Sequence, residues 1–414
     1  MMNKKFGLLG RKLAHSYSPQ IHGLLGDYEY SLIEKEPDEV ASFVRETDLS
    51  GFNVTIPYKK DVYALCDVLS ETAQKLQNVN TVVRLQDGRL YGHNTDYYGF
   101  LYMLQKSEIT VRDKKVLVLG SGGASATVCV VLRDCDAKEV TVISREGENN
   151  YQNLHLHQDA DVIVNATPVG MYPNNGVSPI DLALFPNLSG VLDLIYNPKK
   201  TALLYQAEQL GIPFCNGLPM LVAQAKESAE HFLGNLLPDS KTAEVLDKMN
   251  QNMQNIVLIG MPGCGKTTLG KKLVELTGRP LYDSDEWIEE KYGHSPADII
   301  QSQGEAAFRA LETEALAEIC KRSGGIIATG GGCVTRPENE ILLRQNSVVI
   351  WLKRDINDLP TDGRPLSRNT NLQQMYAIRK PLYEQFSDCS VSMDEMVDSA
   401  AKKVLERYNE ISCY

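Results

Sequence analysis

The sequence predicts an α/β fold organised in several domains. Short continuous Val/Ile/Leu runs recur along the chain and suit parallel strands covered on both faces. Helix-compatible stretches alternate with them, and glycine-rich turns follow two of the strands. With 414 residues the chain is too long for one compact core. A prior of roughly 100–200 residues per domain gives two to four domains.

The runs KVLVLGS (115–121), EVTVISR (139–145), DVIVNAT (161–167) and GVLDLIY (190–196) read as short buried strands. The pattern restarts with NIVLIGM (255–261), GIIATGG (325–331) and SVVIWLK (347–353). Between the two series, AEVLDKMNQNMQN ends a helix and turns polar, so a boundary is expected near residue 250 with a short linker. The two halves carry different glycine motifs, and no internal repeat is visible.

Composition narrows the class. Hydrophobic residues make up 43% and charged residues 23%, an ordinary globular balance. A net charge of −11 argues against nucleic acid, whose phosphates need a basic surface. The start, MMNKKFGLLGRKLAHS, offers only a four-residue apolar stretch, so no secretory leader is expected. No apolar run reaches the ~18–20 residues a membrane span needs. The nine cysteines are scattered with no C-x-x-C pair, which fits a reducing cytoplasm. His155 and His157 in LHLH have no further metal ligand nearby and read as loop or edge strand.

IVLIGMPGCGKTT (256–268) fits G-x-x-x-x-G-K-[ST] through Gly260, Gly265, Lys266 and Thr267. It follows an apolar strand and leads into the helix-compatible LGKKLVEL, which is the context this phosphate-binding loop requires. Backbone N–H groups of such a loop close around phosphate oxygens, and the helix N-terminus adds positive potential. Lys266 is placed to reach the β/γ-phosphates, and the Thr267 hydroxyl to ligate Mg²⁺. Downstream, YDSDEWIE sets Asp283 and Asp285 after a short strand. GEAAFRALE puts Arg309 and Glu312 three apart on one helix face. TGGGCV is a glycine cluster suited to close approach of a ligand, and DGRPLS and IRKPLY supply Arg364 and Arg379.

This ordered set resembles shikimate kinase over residues 255–414. The resemblance implies that Gly263, Cys264, Gly265, Lys266, Thr267, Thr268 and Arg364 bind ATP. It implies that Asp285, Arg309, Gly330, Gly331, Gly332 and Arg379 bind shikimate, the arginines clamping its carboxylate. Asp285 would also assist removal of the 3-hydroxyl proton, and Thr267 and Asp283 would serve Mg²⁺. The chain departs from the family before RPL, where the segment is short and a further arginine has no counterpart.

In the N-terminal half, GSGGASA (120–126) follows KVLVL and precedes an apolar helical run, a dinucleotide signal. The next strand ends in Ser144 and Arg145, where a 2′-phosphate partner leans toward NADP, although Glu146 follows. Upstream, Ser16 and Ser18 lie before Pro19, Thr55 and Lys59 follow a strand in GFNVTIPYKK, and NVNTVV and GHNTDYYG supply Asn80 and Asp96. A lysine and an aspartate beside an asparagine-rich wall look like a proton-transfer pair.

Residues 4–250 resemble shikimate dehydrogenase through LAHSYSP, NVTIPYK, NT, NTD, GSGGA, NATPVGM, DLIYNP and NGLPMLVAQA, in that order. The resemblance implies that Lys59 and Asp96 are the catalytic pair. Ser16, Ser18, Thr55, Asn80, Asp96, Tyr196 and Gln224 would bind the substrate. Gly120, Ser121, Gly122, Gly123, Ala124, Ser144, Arg145, Leu194 and Gly217 would contact NADP(H). The stretch from Arg145 to Asp161 is too short for a helix plus a strand, so a trimmed Rossmann half is expected, with one strand or helix lost.

Taken together, the resemblances imply a substrate-binding α/β subdomain at 1–100, completed by helices at about 220–250. A Rossmann NADP-binding subdomain follows at 101–219, and a P-loop kinase domain with a parallel sheet at 251–414. The expected activity is NADPH-dependent reduction of 3-dehydroshikimate followed by ATP-dependent phosphorylation of shikimate, with Mg²⁺. These are consecutive steps toward chorismate and the aromatic amino acids. A quinate/shikimate dehydrogenase using NAD, another small-molecule P-loop kinase, and a regulatory protein that has lost catalysis stand as alternatives. Intact Lys59, Asp96, Lys266, Thr267 and Asp285 argue against the last.

Overall fold

A computed structural model of the chain describes residues 4–14, 16–359, 372–393 and 396–412. The chain divides into two compact units. One comprises Met1–Val169, Ser178–Tyr196 and Gln206–Leu246; the other comprises Gly170–Val177, Asn197–Tyr205 and Asp247–Tyr414. Gln254 alone separates the helix Ser240–Met253 from the next strand. No described helix is long and apolar enough to cross a membrane.

The first unit holds two sheets. The first sheet contains β1 (Lys5–Gly10), β2 (Glu29–Glu34), β3 (Gly51–Val54), β4 (Val68–Leu69), β5 (Thr81–Arg84) and β6 (Leu90–His93), in the order β2-β1-β3-β5-β6-β4. It is mixed: β1 pairs parallel with β2 and β3, whereas β5 runs antiparallel to β3 and β6. Leu9, Phe52, Val54, Val62 and Val82 close its core.

The second sheet is parallel throughout. It contains β7 (Lys115–Leu119), β8 (Glu139–Ile143), β9 (Val162–Asn165), β10 (Gly190–Asp193) and β11 (Phe214–Cys215), in the order β11-β10-β9-β7-β8. Leu117, Val118, Val162, Ile163 and Val164 are fully buried, which is why these strands read as unbroken apolar runs. Between β8 and β9 the chain forms only a short 3-10 turn at Leu154–His157, and β8 is the sheet edge. The trimmed crossover has therefore lost its helix, and among the described residues no strand lies outside β8. His157 Nε2 pairs with Asn149 Oδ1 at 3.1 Å, so His157 serves this turn.

Two helices tie these sheets together. Asp96–Ser107 starts at the end of β6 and sends Phe100, Met103 and Leu104 into the core of the second sheet. Leu218–Leu233 opens with Pro219 in its first turn, closes at Gly234 in the left-handed conformation, and packs along Asp96–Ser107.

The second unit is built on one parallel sheet of β12 (Asn255–Ile259), β13 (Leu281–Asp283), β14 (Ile326–Ala328), β15 (Ser347–Lys353) and β16 (Cys389–Ser392). The order is β13-β14-β12-β15-β16, with every neighbour parallel. The central strands β12 and β14 are wholly buried. The loops that carry the phosphate-binding motif, the two aspartates and the three glycines leave the C-terminal ends of β12, β13 and β14. Side-by-side parallel strands bring these loops together, as expected at the carboxyl edge of an open α/β sheet.

Candidate active sites

In the first unit, Lys59 Nζ lies 2.5 Å from Asp96 Oδ2. Both side chains are mostly shielded but reach solvent, with 25% and 14% exposure. Asp96 is the first residue of its helix, where the aligned peptide dipoles favour a negative charge. Asn80 Nδ2 donates to Asp96 Oδ1 at 2.8 Å, and the Asp96 N–H donates to Asn94 Oδ1 at 3.0 Å. Each carboxylate oxygen thus has its own partner, and the ammonium is fixed against one of them.

Behind this pair stands a buried polar wall. Asn53 Nδ2 lies within hydrogen-bond distance of Asn80 O, Thr81 Oγ1 and Ser228 Oγ, while its Oδ1 accepts from the Tyr30 hydroxyl. Ser228 Oγ also meets Thr81 Oγ1 at 2.8 Å and Thr95 Oγ1 at 3.1 Å. Buried polar groups persist only when paired, so this network holds the wall in one arrangement. Thr95 Oγ1 reaches Gln224 Oε1 at 3.4 Å, joining Gln224 to the wall. Ser16 and Ser18 hydroxyls lie 3.2 Å apart, and Tyr196 packs edge-on against Tyr17. Thr55 follows β3 and donates its N–H to Leu9 O.

The glycine turn after β7 opens the helix Gly123–Asp134, with Ser121, Gly122, Gly123 and Ala124 exposed at its head. Gly120 has φ +101°, and a Cβ there would meet Thr167 Cγ2 at 2.9 Å. Gly217 packs on the backbone of Leu194 so closely that a Cβ would sit 2.0 Å from the Leu194 carbonyl oxygen. Open space over Gly122 and Gly123 at a helix N-terminus is a cradle that fits a pyrophosphate. Arg145 is exposed just past β8, and the Ser144 hydroxyl donates to Glu146 O.

In the second unit, a cavity of about 700 Å³ is lined by Lys266, Thr267, Asp283, Asp285, Arg309, Gly330 and Arg379, among others. Lys266 Nζ donates to Gly260 O at 2.9 Å and Met261 O at 3.1 Å, folded back on its own loop. Gly263, Gly265 and Thr268 also line the cavity, whereas Cys264 is buried beneath, its N–H donated to Met261 O. Thr267 Oγ1 donates to Asp283 Oδ2 at 2.8 Å, a pair of hard oxygen donors of the kind Mg²⁺ takes. Asp283 Oδ1 caps the helix Ser284–Tyr292 by accepting from the Asp285 N–H.

Asp285 Oδ1 and Glu312 Oε1 are buried without a partner among the described residues. Burial, and then the charges of Asp283 and Glu312, push the Asp285 carboxyl up to about 6. Arg309 Nη1 donates to Glu312 Oε2 at 2.7 Å and Nη2 to Glu305 Oε1 at 2.9 Å. Arg379 Nη1 donates to Gly331 O at 3.0 Å, and the Tyr383 hydroxyl donates to the same oxygen. The three glycines are required by crowding: a Cβ on Gly330 would lie 2.0 Å from Glu312 Oε1, and one on Gly332 2.1 Å from Arg309 Cζ. Arg354, which sequence reasoning passed over, lines the cavity just past β15. Arg364 lies outside the described residues.

Comparison with known proteins gives these geometries a family. Residues 8–82 match the model of the shikimate dehydrogenase substrate binding domain. The chain is 37% identical over 245 residues to the NADP(+) shikimate dehydrogenase of Clostridium beijerinckii, covering 54% of this chain and 90% of that one. The chain belongs to the shikimate dehydrogenase family. Residues 262–409 match the shikimate kinase model, so a shikimate kinase domain follows the dehydrogenase. Among solved structures, the dehydrogenase half is similar to a chorismate mutase/shikimate 5-dehydrogenase fusion protein from Clostridium acetobutylicum. That likeness has 36% identity and a TM-score of 0.58 over 61% of this chain and 98% of that one. It is also similar to the shikimate 5-dehydrogenase of Thermus thermophilus in complex with NADP(H) and shikimate. There the identity is 31% and the TM-score 0.54, over 59% of this chain and 99% of that one.

Proposed function

We propose that this bifunctional enzyme reduces 3-dehydroshikimate with NADPH in its N-terminal half and phosphorylates the shikimate 3-hydroxyl with ATP in its C-terminal half. One observation carries the reading. The wall facing the phosphate-binding loop offers a carboxylate and two buried arginines, a set that suits a hydroxylated carboxylic acid. The other half of the same chain belongs to the family named for that acid.

In the reduction, NADPH when bound supplies the hydride that goes to the ketone carbon. The Lys59 ammonium gives its proton to the developing alkoxide oxygen, converting C=O to CH–OH. Asp96 holds the ammonium in place, at 2.5 Å. Ser16, Ser18, Thr55, Asn80, Tyr196 and Gln224 bind and orient the acid. The glycine turn from Gly120 to Ala124 would hold the pyrophosphate, Leu194 and Gly217 would contact the cofactor, and Ser144 and Arg145 would take the 2′-phosphate.

In the phosphorylation, ATP with Mg²⁺ supplies the γ-phosphoryl group and screens its charge. Thr267 and Asp283 would hold the metal. Asp285 accepts the 3-hydroxyl proton as that oxygen bonds to phosphorus and the bond to the β,γ-bridging oxygen breaks. Lys266 follows the charge onto the leaving phosphate. Arg309 and Arg379 grip the shikimate carboxylate beside Gly330, Gly331 and Gly332. Glu312 and Glu305 keep Arg309 in place. Arg354 adds a positive charge to the cavity wall, and Arg364 would bind ATP.

The reading divides the chain into three modules: residues 1–100 with helices at about 220–250, residues 101–219, and residues 251–414. The nine scattered cysteines, with no C-x-x-C pair, suit a reducing cytoplasm. Initial rates with NADP and NAD, each with shikimate and quinate, test the dehydrogenase reading. A preference for NADP with shikimate is expected, and a preference for NAD with quinate would replace it with a quinate dehydrogenase.

A further inference from the structure

Outside both sites, one group of three side chains among the described residues brings metal-ligand atoms together. His93, Glu227 and His231 place them within 4.8 Å of one another. His93 is the last residue of β6. Glu227 and His231 lie four apart in the helix Leu218–Leu233, so both project from one face toward that strand end. His93 Nε2 is 3.2 Å from Glu227 Oε1. Two ligands on a tetrahedral zinc, each about 2.0–2.2 Å from the ion, stand roughly 3.3 Å apart. The His93 and His231 rings lie 4.4 Å apart between centroids.

The surroundings leave this cluster unanswered. Glu227 Oε2 and His93 Nδ1 are buried with no hydrogen-bond partner among the described residues. The neighbouring Lys226 ammonium is committed to Glu230 at 2.7 Å. Neither mechanism above uses any of the three. A buried carboxylate oxygen without a donor is costly, and a cation is what would satisfy it.

We propose that His93, Glu227 and His231 form a binding site for one zinc-class divalent ion, with an open fourth position. Imidazole and carboxylate ligands suit Zn²⁺ and its substitutes Co²⁺ and Ni²⁺ better than they suit Mg²⁺. The ion fastens the strand end that leads into Asp96 to the helix that carries Gln224 and Ser228. It therefore stiffens the polar wall of the dehydrogenase site from behind without touching substrate.

The test uses the full chain, stripped with a chelator and titrated with Zn²⁺ alone. Unaltered protein and Asp283→Asn should each bind an ion that His231→Ala and Glu227→Gln do not bind. With Co²⁺, the unaltered chain should show the visible bands of a four-coordinate ion, absent from His231→Ala. Zn²⁺ should raise the unfolding midpoint of the unaltered chain and leave that of His231→Ala unmoved. His231→Ala should retain metal-free dehydrogenase activity, which shows that it is folded, and His231→Gln serves in its place if it does not. Equal zinc stoichiometry and equal cobalt spectra in the unaltered chain and the folded histidine variant would overturn the proposal.

Discussion

Asp285→Asn should abolish phosphoryl transfer and yet stabilise the C-terminal unit at neutral pH. The carboxyl is pushed from an ordinary 3.8 up to about 6 by burial and by the charges of Asp283 and Glu312. Its neutral form is the one the fold prefers. The stability it contributes is complete below the unfolded value near 3.8 and is lost as pH rises through about 6. At 1.36 kcal/mol per pH unit, that span amounts to about 3 kcal/mol at most. Asparagine keeps the shape and carries no charge, so the variant should be more stable at pH 8 by up to that amount. The difference should shrink toward zero near pH 4. Urea unfolding followed by tryptophan fluorescence measures this cleanly, because Trp287 and Trp351, the chain's two tryptophans, both lie in the C-terminal unit. In the unaltered enzyme, kcat/KM for shikimate should fall about elevenfold from its plateau by pH 5, following the ionised fraction of a group titrating near 6. A variant no more stable at pH 8, together with a rate profile flat down to pH 4.5, would refute the reasoning.

Three further outcomes follow from the same geometry. Lys59→Met should lower dehydrogenase kcat by on the order of 10²–10⁴-fold and leave the kinase rate unchanged, as separate NADPH-oxidation and ATPase-coupled assays would show. Gly332→Ala drives a methyl to within 2.1 Å of Arg309 Cζ, whose guanidinium is pinned by Glu305 and Glu312. KM for shikimate should rise about tenfold, or 1.4 kcal/mol, with KM for ATP steady; steady-state kinetics in each substrate decide it. Arg145→Ala should raise KM for NADP about tenfold and leave KM for NAD unchanged; an equal rise for both would remove Arg145 from the 2′-phosphate.

What could be read from the sequence was what a run or a spacing records. KVLVL and NIVLI announce strands because every residue is buried, whichever face it takes. EYSLIE in β2 carries no such signal, since it is a half-exposed edge, and the two residues of β4 are too few to show any period. The phosphate-binding loop and the pair of aspartates lie within short motifs. Lys59 and Asp96 stand 37 residues apart and were joined by family resemblance rather than by spacing. Asn80 marks the asparagine-rich wall in the sequence, but the rest of that wall is not legible there for a physical reason. Asn53 and Ser228 meet across 175 residues, and neutral hydroxyl and amide groups leave no charge pattern to follow. Arg354 was passed over because a lysine and arginine after a strand look like an ordinary solvated end, and only the cavity gives the arginine a direction. The crossover between β8 and β9 was legible as a deficit of residues, although the length alone did not say whether strand or helix was gone.

The central claim is that one chain makes shikimate and then phosphorylates it. The direct test supplies 3-dehydroshikimate, NADPH, ATP and Mg²⁺ to the full chain and follows the products by mass. Shikimate 3-phosphate should accumulate with the unaltered protein. Lys266→Ala should halt the flow at shikimate, and Lys59→Ala should leave dehydroshikimate unreduced. Shikimate 3-phosphate from the Lys266→Ala protein, or none from the unaltered chain, would contradict the account.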